Sequence, residues 1–317
     1  MRRLAALAAL LFAAATWAQT YPAKTITIIV PFTPGSATDV AARLVGERLN
    51  AAWGQPVIVD NRPGAGGTIG IAQTARAEPD GYTLAVVSTG HVVNWVLYKD
   101  LPYDTLKDLA GVAPIASLPS VLVVAPSLGV KNVKELVALA KAKPGALNYG
   151  TAGVGSAAHI NSEKFNHAAG IRAVHIPLKG TPPILSETMA GRVHFAWVPS
   201  LGSMGLLKDG KLVALAVSTP KRIAALPEVP TIAEAGYPGG EFNFWVGMLA
   251  PAKTPREVIA KVNAEVNKAL KQPEVIDRLA KLGAEPMSMT PAEFDAFIRQ
   301  EHDELGKVMR DAGAKPQ

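Results

Sequence analysis

Ser156 and His159 stand three residues apart at the expected start of a helix, a hydroxyl and an imidazole within reach of each other. A nucleophile and base of this kind need a third, acidic group to orient the ring. The local sequence places none, so the pair reads first as capping or ligand hydrogen bonding. An exported hydrolase or isomerase using Ser156 and His159 is the alternative. Six histidines (His91, His159, His167, His175, His194 and His302) form no HExxH pattern, and no carboxylate cluster has metal-ligand spacing. The chain has no cysteine, which excludes disulfides, thiolate metal sites and a thiol nucleophile. Gly153-x-Gly155-x-x-Ala158 fits a dinucleotide pattern, but the acidic residue due about 20 positions later is missing. Neither GxxxxGK[ST] nor GxSxG occurs. No catalytic residue, metal or cofactor is therefore expected.

What remains is a set of uncharged, glycine-rich loops. Phe32-Thr33-Pro34-Gly35-Ser36, Gly64-Ala65-Gly66-Gly67 and Thr151-Ala152-Gly153-Val154-Gly155-Ser156 each follow an expected strand and precede an expected helix. Glycine lets the backbone approach a ligand closely. The first amides of a helix lack internal partners, and the helix dipole favours negative charge there. Such a loop binds a carboxylate or phosphate without arginine. Ser88 and Thr89 end the third strand, Thr181 lies in a further loop, and Trp197 ends a strand on the same side. Trp53, Trp95 and Trp245 read as core.

These loops need a scaffold. Residues 25–30 form a β-branched run, 39–52 carry helical spacing, and 56–59 read as a second strand. A helix from about residue 69 and a strand over 82–87 complete a βαβαβ unit. A second unit follows: strands over 146–149, 173–176 and 193–198, with a helix over 157–168 and another ending at Gly191. The pattern predicts two α/β lobes, each a mainly parallel sheet flanked by helices. Thr254-Pro255-Arg256-Glu257 and Thr290-Pro291-Ala292-Glu293 open helices near the C-terminus. Segments 118–125 and 243–250 read as crossovers between lobes. Lobe one is then residues 19–122 and 247–317, lobe two is 123–246, and the cleft between them is the ligand site.

With 317 residues, 49% of them hydrophobic, the chain is long enough for two such lobes. Met1-Arg2-Arg3, an apolar run over 4–15 and Thr16-Trp17-Ala18 form a secretory signal with cleavage near Ala18. The run is shorter than the roughly 20 residues of a membrane span. Removing Arg2 and Arg3 lowers the net charge from +6 to +4. No basic run points to nucleic acid.

Several stretches together resemble the periplasmic solute-binding receptors of tripartite tricarboxylate transporters, the Bug-type receptors. They are Val30-Pro31-Phe32-x-Pro34-Gly35-x-x-x-Asp39, Asp60-Asn61-Arg62-Pro63-Gly64-Ala65-Gly66-Gly67-Thr68-x-Gly70, Pro79-Asp80-Gly81-Tyr82-Thr83-Leu84, Asn148-Tyr149-Gly150-Thr151-Ala152-Gly153-x-Gly155-Ser156-x-x-His159 and Leu226-Pro227-x-Val229-Pro230-Thr231-x-x-Glu234-Ala235-Gly236. The resemblance implies a two-lobed Venus-flytrap fold in the periplasm. It implies a monomer that holds a small carboxylated solute and delivers it to a membrane permease of that transporter type. A sensory or scavenging binder with no permease of its own is a further alternative. The family holds the carboxylate with amides and small side chains of loops 32–36 and 151–156. The ligand set expected here is Phe32, Thr33, Gly35, Ser36, Gly66, Ser88, Thr89, Thr151, Gly153, Gly155, Ser156, His159, Thr181 and Trp197. The chain departs from the family at Gly35-Ser36, where two glycines are usual. It departs again at Lys179-Gly180-Thr181-Pro182, usually KGG-like, and at His194, often acidic.

Overall fold

The β-branched run Ile26–Val30 forms β1 in the computed structural model, which describes residues 21–281 and 283–311. The expected export signal lies outside the described residues. Ala37–Trp53 is α1, Val57–Asn61 β2, Thr68–Ala75 α2 and Thr83–Ser88 β3. β1 pairs in parallel with both β2 and β3, as the βαβαβ reading requires. A tight turn, Thr89–Val93, and the short α3 (Asn94–Leu97) lead to β4 (Leu109–Leu118). Pro119 alone separates β4 from β5 (Ser120–Val124), which belongs to the other sheet. Lobe two continues with α4 (Val133–Ala142), β6 (Asn148–Thr151), α5 (Ala157–Ala169), β7 (Val174–Pro177), α6 (Thr181–Met189), β8 (Phe195–Pro199), α7 (Ser200–Lys208) and β9 (Val213–Val217). The chain returns through β10 (Phe244–Pro251), then α8 (Arg256–Leu270), α9 (Pro273–Lys281), β11 (Glu285–Pro286) and α10 (Pro291–Asp311).

The strand orders are β11-β4-β10-β3-β1-β2 and β7-β6-β8-β5-β9. Both sheets are mixed, where mainly parallel sheets were expected. β10 runs antiparallel to β3 and β4, and β5 antiparallel to β8 and β9. The cause lies in the crossings. β4 leaves lobe one and β10 re-enters it beside β4, so the two must run in opposite directions. The expected boundaries at 122/123 and 246/247 fall inside β5 and β10. Each of these strands lies whole in one sheet. The first crossing is at Pro119, which has no N–H to extend a ladder. The second precedes Phe244.

β10 is buried along its whole length. Its Trp245 packs against Phe294 and Phe297 of α10. In lobe two, alternation along β8 and β5 divides the core. Phe195, Trp197, Leu122 and Val124 face one side; Ala196, Val198, Val121 and Val123 face the other. Burying each large apolar side chain contributes about 1.5–3 kcal/mol, which lets a chain without disulfides hold two lobes. The Thr290–Glu293 capping box forms as expected, each residue's amide donating to the other's side chain. α8 begins one residue later than expected, with Pro255 at the cap. Among the described residues, no helix is long and apolar enough to cross a membrane.

Candidate functional site

The segments that follow β1, β6 and β7, with the ends of β3 and β8 and the start of β10, line a partly open cavity between the lobes. Ser36, Ala37 and Thr38 reach it from the start of α1, and Ser156, Ala157 and Ala158 from the start of α5. Gly180, Thr181 and Ile184 come from α6. Phe32, Ser88, Ala152, Pro199 and Phe244 complete the wall. Among the described residues, no charged side chain lines it.

The two serine-capped helix starts match across the cleft. Ser36 Oγ accepts from Asp39 N at 3.3 Å, and Ser36 O accepts from Val40 N at 2.9 Å. The amides of Ala37 and Thr38 therefore have no intrahelical acceptor. In α5, Ser156 Oγ accepts from His159 N at 3.3 Å, and Ala157 and Ala158 are left in the same state. Each start offers two amides and a serine hydroxyl at the positive end of a helix dipole. α6 differs. Pro182 and Pro183 have no N–H, so Thr181 supplies its one free amide in the first three positions. At the start of α7 the Ser200 amide donates to Pro119 O.

The loops are held from behind. Gly35 takes φ +78° and donates its N–H to Asp39 Oδ2 at 2.9 Å. Asp39 also accepts from Arg43 and from Asn61 Nδ2, and that same Asn61 nitrogen donates to Phe32 O at 2.9 Å. Burial would raise the Asp39 carboxyl, but hydrogen bonds from Arg43, Gly35 and Asn61 and the Arg43 charge hold it below the usual carboxylate range. In lobe two, Gly155 N donates to His159 Nδ1 at 3.3 Å, and Gly153 N to Thr151 Oγ1 at 3.1 Å. Thr151 Oγ1 also meets His175 Nε2, and the two imidazoles stack at 4.5 Å.

Burial pushes both His159 and His175 down to about 4; the neighbouring His159 lowers His175 further, against Glu163. Both rings are therefore neutral in the fold near neutral pH. Their unfolded value is about 6.5, so between about pH 4 and 6.5 the unfolded chain binds more protons. Their contribution to stability is complete above that window and is lost as pH falls through it. The melting temperature is expected to drop from pH 7 to pH 4. His159→Gln keeps an acceptor for Gly155 and should flatten that slope. An unchanged slope in calorimetry across this range would remove His159 from the account.

Of the expected ligand residues, Phe32, Ser36, Ser88, Ser156 and Thr181 line the cavity. Thr33, Gly66, Gly153 and Gly155 instead join the lobes. Thr33 N donates to Lys179 O at 3.2 Å, and a Cβ on Gly66 would lie 1.8 Å from Val154 O. One on Gly153 would lie 3.0 Å from Gly66 N, and one on Gly155 2.5 Å from Asn94 Oδ1. Tyr98 Oη donates to Val154 O at 2.7 Å. The lobes are thus closed on each other. Gly35, Thr151 and His159 stand behind the wall and shape it. Thr89 is turned away, its hydroxyl accepting from Trp245 N at 2.8 Å. Trp197 is fully buried in the lobe-two core, 5.9 Å from Phe165. In the Ser156–His159 pair the serine Oγ meets the backbone N–H of His159, and the ring Nδ1 accepts from Gly155 N. Ala37, Thr38, Ala157 and Ala158 went unnoticed in the sequence because they contribute amides, although a serine at each cap was a usable signal. Phe244 and Pro199 carried no such signal.

The family described as tripartite tricarboxylate transporter family receptor matches residues 41–314. Rpa4515 of R. palustris, solved with adipate, is 36% identical with a TM-score of 0.91, covering 94% of this chain and 100% of that one. The periplasmic binding protein BugD is 31% identical with a TM-score of 0.90, covering 94% and 100%. MatC (Rpa3494) from Rhodopseudomonas palustris, solved with malate, is 32% identical with a TM-score of 0.87, covering 91% and 99%. These agree with the two-lobed fold and with the motifs that run along the sequence. The chain belongs to the tripartite tricarboxylate transporter receptor family.

Proposed function

We propose that this chain is a periplasmic receptor that closes on a small carboxylated solute and delivers it to a tripartite tricarboxylate-type membrane permease. One observation carries the reading: two serine-capped helix starts, one from each lobe, present four free amides to a cavity without a charged side chain. Hydrogen bonds to a charged group contribute about 1.5–3 kcal/mol each. Three or four reach the roughly 8 kcal/mol of a micromolar complex before entropy is counted. The hydroxyls of Ser36, Ser88, Ser156 and Thr181 fix the solute's orientation. Because the anchors come from both lobes, the anion itself holds the lobes together. Two relatives were solved with small carboxylates, adipate and malate, which supports the reading. The reading needs no covalent step, and the role of Ser156 is to cap α5 and contact the solute.

A cognate acid at 100 times its dissociation constant adds about 2.7 kcal/mol of stability. A thermal-shift panel of small mono-, di- and tricarboxylic acids against neutral analogues tests this. At least one acid should raise the melting temperature without being consumed. Stabilisation by neutral analogues alone, or steady product formation from a bound acid, would refute the proposal.

A further inference from the structure

We infer that Thr33 and Asn94 set the receptor's affinity by opposing closure: bringing the lobes together strands a polar atom of each, and the bound solute must offset that loss. This deepens the carboxylate-receptor reading above and rests on it. Both residues belong to lobe one, and both face a glycine of lobe two. A Cβ on Gly180 would overlap Thr33 Oγ1, and one on Gly155 would lie 2.5 Å from Asn94 Oδ1. Among the described residues neither oxygen has a hydrogen-bond partner, and each is sealed from solvent. A glycine α-carbon offers at most a weak C–H contact in return.

Asn94 is fully buried, and its Nδ2 donates to Tyr103 Oη at 3.0 Å. Turning the amide round exchanges its two atoms but pairs no more of them: one meets Tyr103 and the other faces Gly155. Neither Thr33 nor Asn94 lines the cavity, so neither oxygen is held for the solute. When the lobes part, Gly155 and Gly180 withdraw and water reaches both oxygens. Closure therefore removes a hydrogen bond to water and supplies none. An unpaired buried group weakens the closing equilibrium by about 5–100-fold. Apparent affinity falls with the fraction of closed, binding-competent protein. Other contacts across the same seam act the opposite way. Tyr98 Oη donates to Val154 O at 2.7 Å, and Thr33 N to Lys179 O at 3.2 Å. The seam thus combines paired groups that favour closing with two oxygens that resist it.

Calorimetric titration of the full chain with adipate, malate, hexanoate and benzoate identifies the acid that binds tightest, which then serves as the probe for the variants. Thr33→Val keeps the branched shape and removes the hydroxyl. It should bind that acid about fivefold tighter or more, with the unliganded melting temperature showing an intact fold. Asn94→Ala should tighten binding about threefold or more, because its lost bond to Tyr103 lies within lobe one and weakens open and closed states alike. Tyr98→Phe removes a paired contact and should loosen binding. Small-angle scattering of the unliganded proteins should show Thr33→Val more compact than the unaltered chain. If folded Thr33→Val and Asn94→Ala bind the acid no tighter than the unaltered protein, the inference is overturned and the receptor reading stands. Binding of none of the four acids by the unaltered protein overturns both.

Discussion

Replacing Gly90 by alanine is expected to weaken solute binding by about 10–100-fold while each lobe stays folded. Gly90 lies in the turn Thr89–Val93, directly after the cavity residue Ser88. Its φ is outside the left-handed region, so alanine brings no backbone strain. The added Cβ would lie 2.4 Å from Gly155 O and 2.7 Å from Ala157 N, backbone atoms of the opposite lobe that cannot rotate aside. Ala157 is also one of the four amide donors, so the obstruction falls on the anchor itself. Overpacking of this kind costs about 1–3 kcal/mol, and each 1.4 kcal/mol is tenfold in affinity. Parting of the lobes relieves the clash, so the loss should fall on binding and spare the unliganded melting temperature. Gly66→Ala meets Val154 O still more closely, but its φ of +61° adds a strain of its own, so Gly90 is the cleaner test. Titration of both proteins with the same acid gives the answer. Retained affinity with a melting temperature lower by several degrees would make this contact a permanent joint, and the closure argument would fail.

The sequence revealed the scaffold wherever one residue type forces a local structure. Gly35, Gly153 and Gly155 sit at φ of +78°, +107° and +79° in the glycine-rich loops expected between a strand and a helix. Ser156 caps the helix that follows, as its spacing to His159 suggested, and Ser36 caps α1 in the same way. The β-branched run at β1 and the Thr290–Glu293 box were equally plain. Other features depend on what lies opposite. β8 is buried on both faces, so its composition could not show that Trp197 points into the core while Pro199 at its end reaches the cavity. Thr89 looked available, but β10, from more than 150 residues away, takes its hydroxyl. The sense of β10 was hidden for the same reason: a buried apolar run carries no direction, and only the return from lobe two sets it antiparallel to β4. The free amides at the two helix starts belong to three alanines and a threonine whose side chains gave no sign. Proline was the informative exception. A missing N–H is a property of the residue itself, so the single free amide at the start of α6 follows from Thr181-Pro182-Pro183 once the helix is placed.

Asp39→Ala is expected to lower stability by about 2–4 kcal/mol and to abolish most solute binding, although Asp39 does not touch the cavity. Asp39 is 3% exposed, and its carboxylate holds both ends of the first loop. It takes the Gly35 amide directly, and through Asn61 it fixes the carbonyl of Phe32. Arg43, four residues on, closes the arrangement as an ion pair at 2.9 Å. Alanine leaves the Gly35 N–H and one Asn61 contact without an acceptor. A buried donor left unpaired costs about 1–3 kcal/mol. The loop then loses the geometry that aims the Ala37 and Thr38 amides, so affinity should fall further than stability alone explains. Asp39→Asn keeps one acceptor and the shape of the side chain, and should lie between the two. The pH dependence separates this from a general packing defect. Because the folded carboxyl is held below its unfolded value of about 3.9, the unfolded chain binds the extra proton between the two values. The Asp39 contribution is complete above about pH 3.9 and is lost as pH falls through the lower, folded value. The gap in melting temperature between wild type and Asp39→Ala should therefore be constant from pH 7 to about 5 and narrow below about 4. A gap that stays constant down to pH 2.5 would show that the ionised carboxylate is not what holds the loop.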